Sequence, residues 1–257
     1  MNADDWGRDR ETTERIFECI LHGTVSSASA MVFMEDSERA AAVARSAQID
    51  TGLHVNFTTP FSAPVCPRQL LVRQADLARH LRRGRLARAV FHPGLVRSFE
   101  YVMKAQLDEY GRLYGAYPER IDGHHHMHLS ANVVLGRLMP AGTIARRSFS
   151  LRPGEKSFFK RKYSQLLDFT LAQRHRLTDY FFSLPPLEPG ERLQRIFSLA
   201  KRFVVEVETH PVNAEERQFL MGERIHQLLG ELRVAKRFML PPRLEPGAKP
   251  IENPAAL

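Results

Sequence analysis

Four of the eleven histidines in this 257-residue chain fall within five positions: His124, His125, His126 and His128 of the stretch Ile121-Asp122-Gly123-His124-His125-His126-Met127-His128-Leu129. Imidazole nitrogen is the commonest transition-metal ligand, so a run of this density points first to a metal site. If the stretch is extended, His124, His126 and His128 face one side and His125 the other, because strand side chains alternate. A zincin-type helix would need two histidines four apart with a Glu between them, and the stretch holds no Glu. The plainer reading is a histidine-rich surface loop or a tag remnant, although tags sit at termini and this run is in mid-chain.

Three further places carry ligand or proton-transfer side chains: the adjacent Asp4 and Asp5, His54 in Leu53-His54-Val55-Asn56, and His210 in Thr209-His210-Pro211. Together they are what a one-metal hydrolase needs, namely a carboxylate and imidazoles on a cation, an open position for water and further groups to move protons. Taken singly, each has a duller explanation: a solvated turn, a satisfied histidine beside the core, the end of a strand. Arg146 and Arg147 alone would read as exposed charges.

The elements that must position these groups alternate. Helical spacing of Ile16, Phe17, Ile20 and Leu21 predicts a helix over 11–21 ended by Gly23, followed by a strand over 24–33, a helix over 37–47 capped by Asp36, and a strand over 49–58 that delivers His54. A Pro-rich loop follows at 59–67. A basic helical stretch spans 68–89, an amphipathic helix 95–110, and a short strand over 120–123 ends on the histidine cluster. Beyond it come a helix over 131–139, a strand over 143–149 carrying Arg146 and Arg147, a helix over 157–173 and a strand over 179–184. Another helix spans 190–201, the strand 203–211 ends on His210, and the last helix covers 214–229. This alternation predicts βα units around a parallel sheet, with the polar groups at the strands' C-terminal ends where catalytic groups of such folds gather. The strand that should come first is missing from the pattern. Asp4 and Asp5 are therefore expected in a turn with nothing ahead of them to hold them in a sheet. A single barrel-like domain over 1–240 and a Pro-rich, flexible tail over 241–257 account for the chain.

Composition narrows the class. With 43% hydrophobic and 26% charged residues the chain suits one sizeable domain. It has no run of eighteen apolar residues and no signal-like start, which predicts no membrane span, and two cysteines without metal spacing, Cys19 and Cys66, fit a reducing, cytoplasmic setting. A net charge of +8 and a pI near 9.8 invite a nucleic-acid reading. The excess lies in two arginine-rich regions, 68–97 and 143–176, without a zinc-finger, homeodomain or RNP-type motif. Solvated helix faces, or attraction toward an anionic substrate or surface, explain them better, so no nucleic-acid partner is expected.

The ordered set Asn2-Ala3-Asp4-Asp5-Trp6-Gly7, Gly52-Leu53-His54-Val55-Asn56-Phe57-Thr58, Ile121-Asp122-Gly123-His124-His125-His126-Met127-His128 and Thr209-His210-Pro211 resembles the motifs of the YdjC-like carbohydrate deacetylases, which include chitooligosaccharide and hopanoid-biosynthesis-associated deacetylases. The resemblance runs from residue 2 to about residue 222. It implies an α/β fold, a distorted, incomplete (β/α) barrel of TIM-like type, and one divalent metal ion, Mg2+ or Zn2+. Position by position it implies Asp5, His54 and His124 as metal ligands, Asp4 as general base and His210 as the acid or a substrate-side group. It also implies Arg146, His126 and His128 as substrate-binding residues, with Asp122 orienting an imidazole. The expected substrate is an N-acetylated amino sugar; homodimerisation is left open. The main departure is that relatives carry a short apolar strand before the Asn-Ala-Asp-Asp motif, whereas this chain begins one residue before it; Trp6 where Phe is usual and Gly123 where Ser is common are milder. The competing functions are a non-catalytic, metal-stabilised protein that holds an anionic polymer on its arginine faces, and a hydrolase with the same metal centre acting on another acyl group.

Overall fold

A computed structural model describes the chain except residues 152–154, 156, 231, 233, 236, 239 and 241–257, so the expected Pro-rich tail lies outside the described residues. The described chain runs β1 (Asn2–Trp6), α1 (Arg10–Leu21), β2 (Ser27–Ala30), α2 (Ser37–Ser46), β3 (Asp50–Val55), α3 (Arg68–Leu81), α4 (Arg85–Ala89), α5 (Val96–Tyr114) and β4 (Arg120–Gly123). It continues through α6 (Ala131–Leu135), β5 (Ile144–Ala145), α7 (Phe158–Ala172), β6 (Tyr180–Ser183), α8 (Gly190–Leu199), β7 (Val205–Thr209), α9 (Ala214–Met221) and α10 (Glu223–Leu229).

The seven strands form one parallel sheet in the order β5-β4-β3-β2-β1-β7-β6. The sheet curls until its edges meet. Ala145 N–H donates to the Arg176 carbonyl, Arg176 N–H to that of Thr143 and Ser150 N–H to that of Phe181, so isolated backbone bonds join β5 and β6 to the segments flanking one another where a closed barrel would have a ladder. This is the distorted, incomplete barrel expected from the sequence. The helices wrap its outside because their apolar residues recur every three or four positions: Ile16 and Cys19 on α1, Leu70, Leu77 and Leu81 on α3, and Phe99, Val102 and Met103 on α5 are all buried.

The expectation of a missing first strand is corrected. Asn2–Trp6 is itself β1, buried along its whole length and paired on both sides, with Asn2 and Ala3 opposite Ser27 and Ala28 of β2 and opposite Glu208 and Thr209 of β7. Asn, Asp and Gly signal turns by local propensity. Pairing on two sides and full burial override that preference, as tertiary context often does in sheets.

Smaller departures have local causes. The basic helix expected over 68–89 is two helices, because Gly84 takes φ 141°. The last helix breaks at Gly222, whose φ/ψ of −94°/175° is extended. The strand expected over 143–149 keeps a ladder only at Ile144–Ala145. Asp36 does not cap α2 through its side chain; its carboxylate is held by Arg39.

Candidate metal centre

Adjacent strand residues normally point to opposite faces, yet Asp4 and Asp5 both meet one cluster. A bulge makes this possible. The β1–β2 register shifts between Ala3 and Trp6, and Asp5 takes a left-handed φ of 72°. Asp adopts this region more readily than most residues, and a bulge of this kind re-aims a side chain at a strand end. Trp6, fully buried, packs edge-on against Phe17 of α1, and the following Gly7 (φ 87°) lies where a Cβ would be 3.1 Å from the Met31 carbonyl.

The register of β3 against β4 sets His54 directly beside Asp122, and the two are joined at 2.7 Å through His54 Nδ1. Asp122 is in turn held by the Ser29 hydroxyl at 2.5 Å. With its Nδ1–H donated to Asp122, His54 turns Nε2 toward Asp5 Oδ1, 3.3 Å away. His124 Nε2 contacts the Thr59 hydroxyl at 3.0 Å, and His124 Nδ1 lies 2.9 Å from the same Asp5 oxygen. Asp5 Oδ1 is nevertheless a buried acceptor without a hydrogen-bond partner. Its other oxygen accepts from Arg8 at 2.9 Å. Burial opposes the charge on Asp5, but the two imidazoles hold its carboxyl well below the usual carboxylate range.

One carboxylate oxygen and two imidazole nitrogens thus converge with donor atoms within 4.8 Å of one another. With both of these imidazole nitrogens unprotonated, three lone pairs aim at one point and repel unless a cation lies between them. The residues therefore fit a divalent ion, and the Asp122–His54 contact supplies the carboxylate that usually orients a ligating histidine. Asp4, His54 and Asp122 also come within that span. They fit a cation less well, because their facing atoms are already engaged: Asp122 with His54 and Ser29, and Asp4 with Arg146.

Arg146 is the hub of the barrel interior. Its guanidinium grips Asp4 through two bonds of 2.7 Å, and reaches Asp122 at 2.8 Å, Glu206 at 2.8 Å and Glu208 at 3.2 Å. The side chain is only 1% exposed. Its donors are spent on the protein, so the expectation that Arg146 binds substrate is corrected: it organises Asp4. Asn2 adds a third hydrogen bond to Asp4 at 2.9 Å. Burial disfavours the charged form of Asp4, but Arg146 and His54 outweigh it and lower its pKa. His54 shows the reverse balance: burial works against its protonation, and Asp4 and Asp122 together raise it to about 10. A carboxylate field that stabilises a proton there would equally stabilise a metal cation.

The histidine run does not alternate as an extended strand would. His125 and His126 take left-handed φ values of 54° and 58°, folding the run into a tight turn. His124 enters the cluster, His125 packs over His124 with ring centroids 4.0 Å apart, and His126 packs edge-on against both Phe149 and Phe181 with Nε2 3.7 Å from Glu208. His126 keeps 31% of its side chain exposed, so it remains a candidate for substrate contact. For His128 that expectation is corrected. It is fully buried and its Nε2–H donates to the Arg146 carbonyl at 3.0 Å, so it fixes the backbone that carries Arg146. Gly123 makes room for this, since a Cβ there would stand 2.9 Å from His128 N and 3.0 Å from His128 Nδ1. His210 follows β7, the neighbour of β1, one residue past the last register pair, Ala3 opposite Thr209. Its backbone N–H donates to Glu216 at 2.8 Å.

Glu206 and Glu208 were not anticipated. Burial pushes both above the ordinary carboxylate range, Glu208 to about 8 with help from Asp4. The available signal was Val205-Glu206-Val207-Glu208: period-two alternation places both glutamates on one face of a strand whose neighbours leave that face inside a barrel.

A chitooligosaccharide deacetylase of Proteus mirabilis (strain HI4320) is 33% identical over 130 residues, 50% of this chain and 49% of that protein. A carbohydrate deacetylase of Mus musculus is 32% identical over 146 residues, 52% of this chain and 43% of that protein. The chain thus spans about half the length of the relatives it matches. A crystal structure from Enterococcus faecalis V583, described as a cellobiose-phosphate cleavage protein, superposes with a TM-score of 0.60 at 18% identity, covering 90% of this chain and 92% of that one, which establishes a common fold. Residues 1–235 match the family described as YdjC-like protein, and the chain belongs to that family.

Proposed function

We propose that this chain is a metal-dependent carbohydrate deacetylase, hydrolysing the acetamide of an N-acetylated amino sugar to acetate and the free amine. The observation that carries this reading is the unpartnered Asp5 Oδ1 facing His54 Nε2 and His124 Nδ1, with the Arg146-bound carboxylate of Asp4 beside it, Asp4 Oδ2 being 3.9 Å from His54 Nε2. The names of the deacetylases it resembles supply the substrate class.

Asp5, His54 and His124 hold the cation, Zn2+ or Mg2+; two imidazoles and one carboxylate suit Zn2+ better than the oxygen-seeking Mg2+. When bound, the cation supplies an acidified water and polarises the acetyl carbonyl. Asp4, kept ionised by Arg146, accepts the proton of the attacking water. Its two bonds to Arg146 fix the carboxylate, so little reorganisation is needed as the proton arrives. Asp122 keeps the His54 ring turned to the cation. The departing amine takes a proton from His210 just past the end of the neighbouring strand, and His126 borders the sugar at the rim.

The test is acetate release from N-acetylated mono- and oligosaccharides after chelation and add-back of Zn2+ or Mg2+. Asp4→Asn should retain the metal and lose turnover by about 10²-fold or more. His54→Ala and His124→Ala should each lose both. Full metal occupancy and turnover in either histidine variant would remove the ligand assignment, and undiminished turnover in Asp4→Asn would remove the base.

A further inference from the structure

Helix α7 carries an aromatic face that none of the described residues covers. Phe159 is 83% exposed, Phe169 66%, Leu166 61%, Phe158 58% and Tyr163 39%. Positions 159, 163, 166 and 169 recur at three- and four-residue intervals, so these side chains form one stripe. The other side of the helix meets the barrel through few groups. Leu171 is its one buried residue, Asp168 receives Arg147 and the backbone N–H of Ser148, and the Ser164 carbonyl accepts from the Ser148 hydroxyl. Surface helices ordinarily turn such a stripe inward; an outward one marks an interaction surface.

The first turn of the helix is basic. Phe158 and Phe159 run directly into Lys160, Arg161 and Lys162, and the Lys162 ammonium lies 5.7 Å from the centre of the Phe158 ring. Asp168 is the helix's one acid, and Arg147 already neutralises it. This turn also has a defined place relative to the metal centre. As the crossover between parallel β5 and β6, α7 runs back along the sheet, so its N-terminal turn lies at the strands' C-terminal rim. The segment leaving Arg146 passes Phe149, which packs on His126 and Phe181, before it enters α7.

We propose that α7 docks on an anionic lipid surface, its phenyl rings and Leu166 among the headgroups and Lys160, Arg161 and Lys162 against the lipid phosphates, with the rim of the metal centre turned to the membrane. Exposed rings interleaved with basic side chains are the composition of an interfacial helix. Among the described residues no helix is long and apolar enough to cross a membrane, so the contact lies along the surface. A second copy of the chain is a poorer occupant: the stripe offers no acid to complement Lys162 across an isologous contact, Asp168 being held by Arg147. The proposal does not depend on the deacetylase reading.

The test is co-sedimentation of the full chain with phosphatidylglycerol vesicles and with phosphatidylcholine vesicles. Binding is expected to the anionic vesicles, weakened by salt, and to fall about tenfold or more in Phe159→Ser/Phe169→Ser and in Lys160→Glu/Lys162→Glu. All four positions are solvent-facing, so circular dichroism and Zn2+ binding should be unchanged. Trp6 is the single tryptophan and is fully buried. Emission added by Phe159→Trp should therefore shift to the blue on anionic vesicles. Failure to sediment with anionic vesicles, sedimentation unaltered in both double variants, or no emission shift overturns the proposal. So does tighter binding to a single-stranded oligonucleotide than to the vesicles, or a dimer that dissociates in the Phe159→Ser/Phe169→Ser chain.

Discussion

Replacing Arg146 by Met keeps most of the side-chain volume and deletes the charge. Asp4, Asp122, Glu206 and Glu208 then remain in the barrel interior without the guanidinium that contacts all of them at 2.7 to 3.2 Å. Removing one partner of a buried ion pair costs about 3–5 kcal/mol, because the remaining charge is left desolvated. Arg146 serves four carboxylates, but these can take up protons when it is lost, which limits the cost to about the same range. That is a large fraction of the roughly 5–15 kcal/mol by which folded domains are stable. At about 2–4 °C per kcal/mol for a chain of this size, the melting temperature should drop by on the order of 10 °C. The loss should depend on pH in a definite direction. Glu208 already has a folded-state pKa of about 8, above the ordinary 4.5, through burial and Asp4, and loss of Arg146 raises it further. A group raised in the fold contributes full stability below its unfolded pKa and loses it as pH climbs through the folded one. The deficit of Arg146→Met should therefore be smaller at pH 5 and widen toward pH 8. Urea unfolding followed by the buried Trp6, in chelator so that no cation compensates, measures this directly. A deficit below about 1 kcal/mol and equal at both pH values would refute the argument that Arg146 neutralises the interior.

Other consequences are more local. Saturating Zn2+ at about 100 times its dissociation constant should raise the stability of the wild-type chain by about 2.7 kcal/mol, and Asp5→Ala should abolish that gain in a thermal-shift assay. Asp122→Asn should weaken Zn2+ binding by about 10- to 100-fold in a competition titration, since Asp122 holds His54 Nδ1 at 2.7 Å. Gly123→Ala should cost about 1–3 kcal/mol in urea unfolding, because its Cβ meets the His128 backbone at 2.9 Å. Gly123→Ser should cost less than Gly123→Ala, since a hydroxyl there can donate to His128 Nδ1, a buried atom without a hydrogen-bond partner.

Much of the framework was legible because it rests on short-range patterns. Helical spacing found α1 and α5, and a short strand was expected around Arg120 to Gly123, where β4 lies. Strand ends in a parallel fold marked His54, the histidine run and His210, while the choice of Asp5, His54 and His124 as a set came from the resemblance of four ordered motifs to the YdjC-like family. What failed depended on distant partners. Asn-Ala-Asp-Asp-Trp-Gly reads as a turn until β2 and β7 pair with it on either side. Arg146 read as a surface charge or a substrate clamp because nothing near it in sequence reveals Asp4, 142 residues away, or Glu206, 60 residues away. His128 read as part of the histidine cluster because proximity in sequence hides the left-handed turn at His125 and His126 that sends it under Arg146.

The difference between Asp4 and Asp5 follows from the same long-range packing. The two are chemically identical neighbours, and sequence supplies no reason for one to bind a metal and the other to move a proton. Both oxygens of Asp4 are taken by Arg146, which arrives from the far end of the curled sheet on the segment after β5. Asp5 is turned out of the strand by its positive φ, gives one oxygen to Arg8 and leaves the other between two imidazoles. The carboxylate with committed oxygens is a poor ligand and a well-fixed base; the one with an uncommitted oxygen is the reverse. A regular strand at this point would send Asp5 to the opposite face and leave His54 and His124 without their carboxylate. The bulge in β1 is therefore what gives two adjacent aspartates different environments, one suited to the ligand and the other to the base of the proposed mechanism.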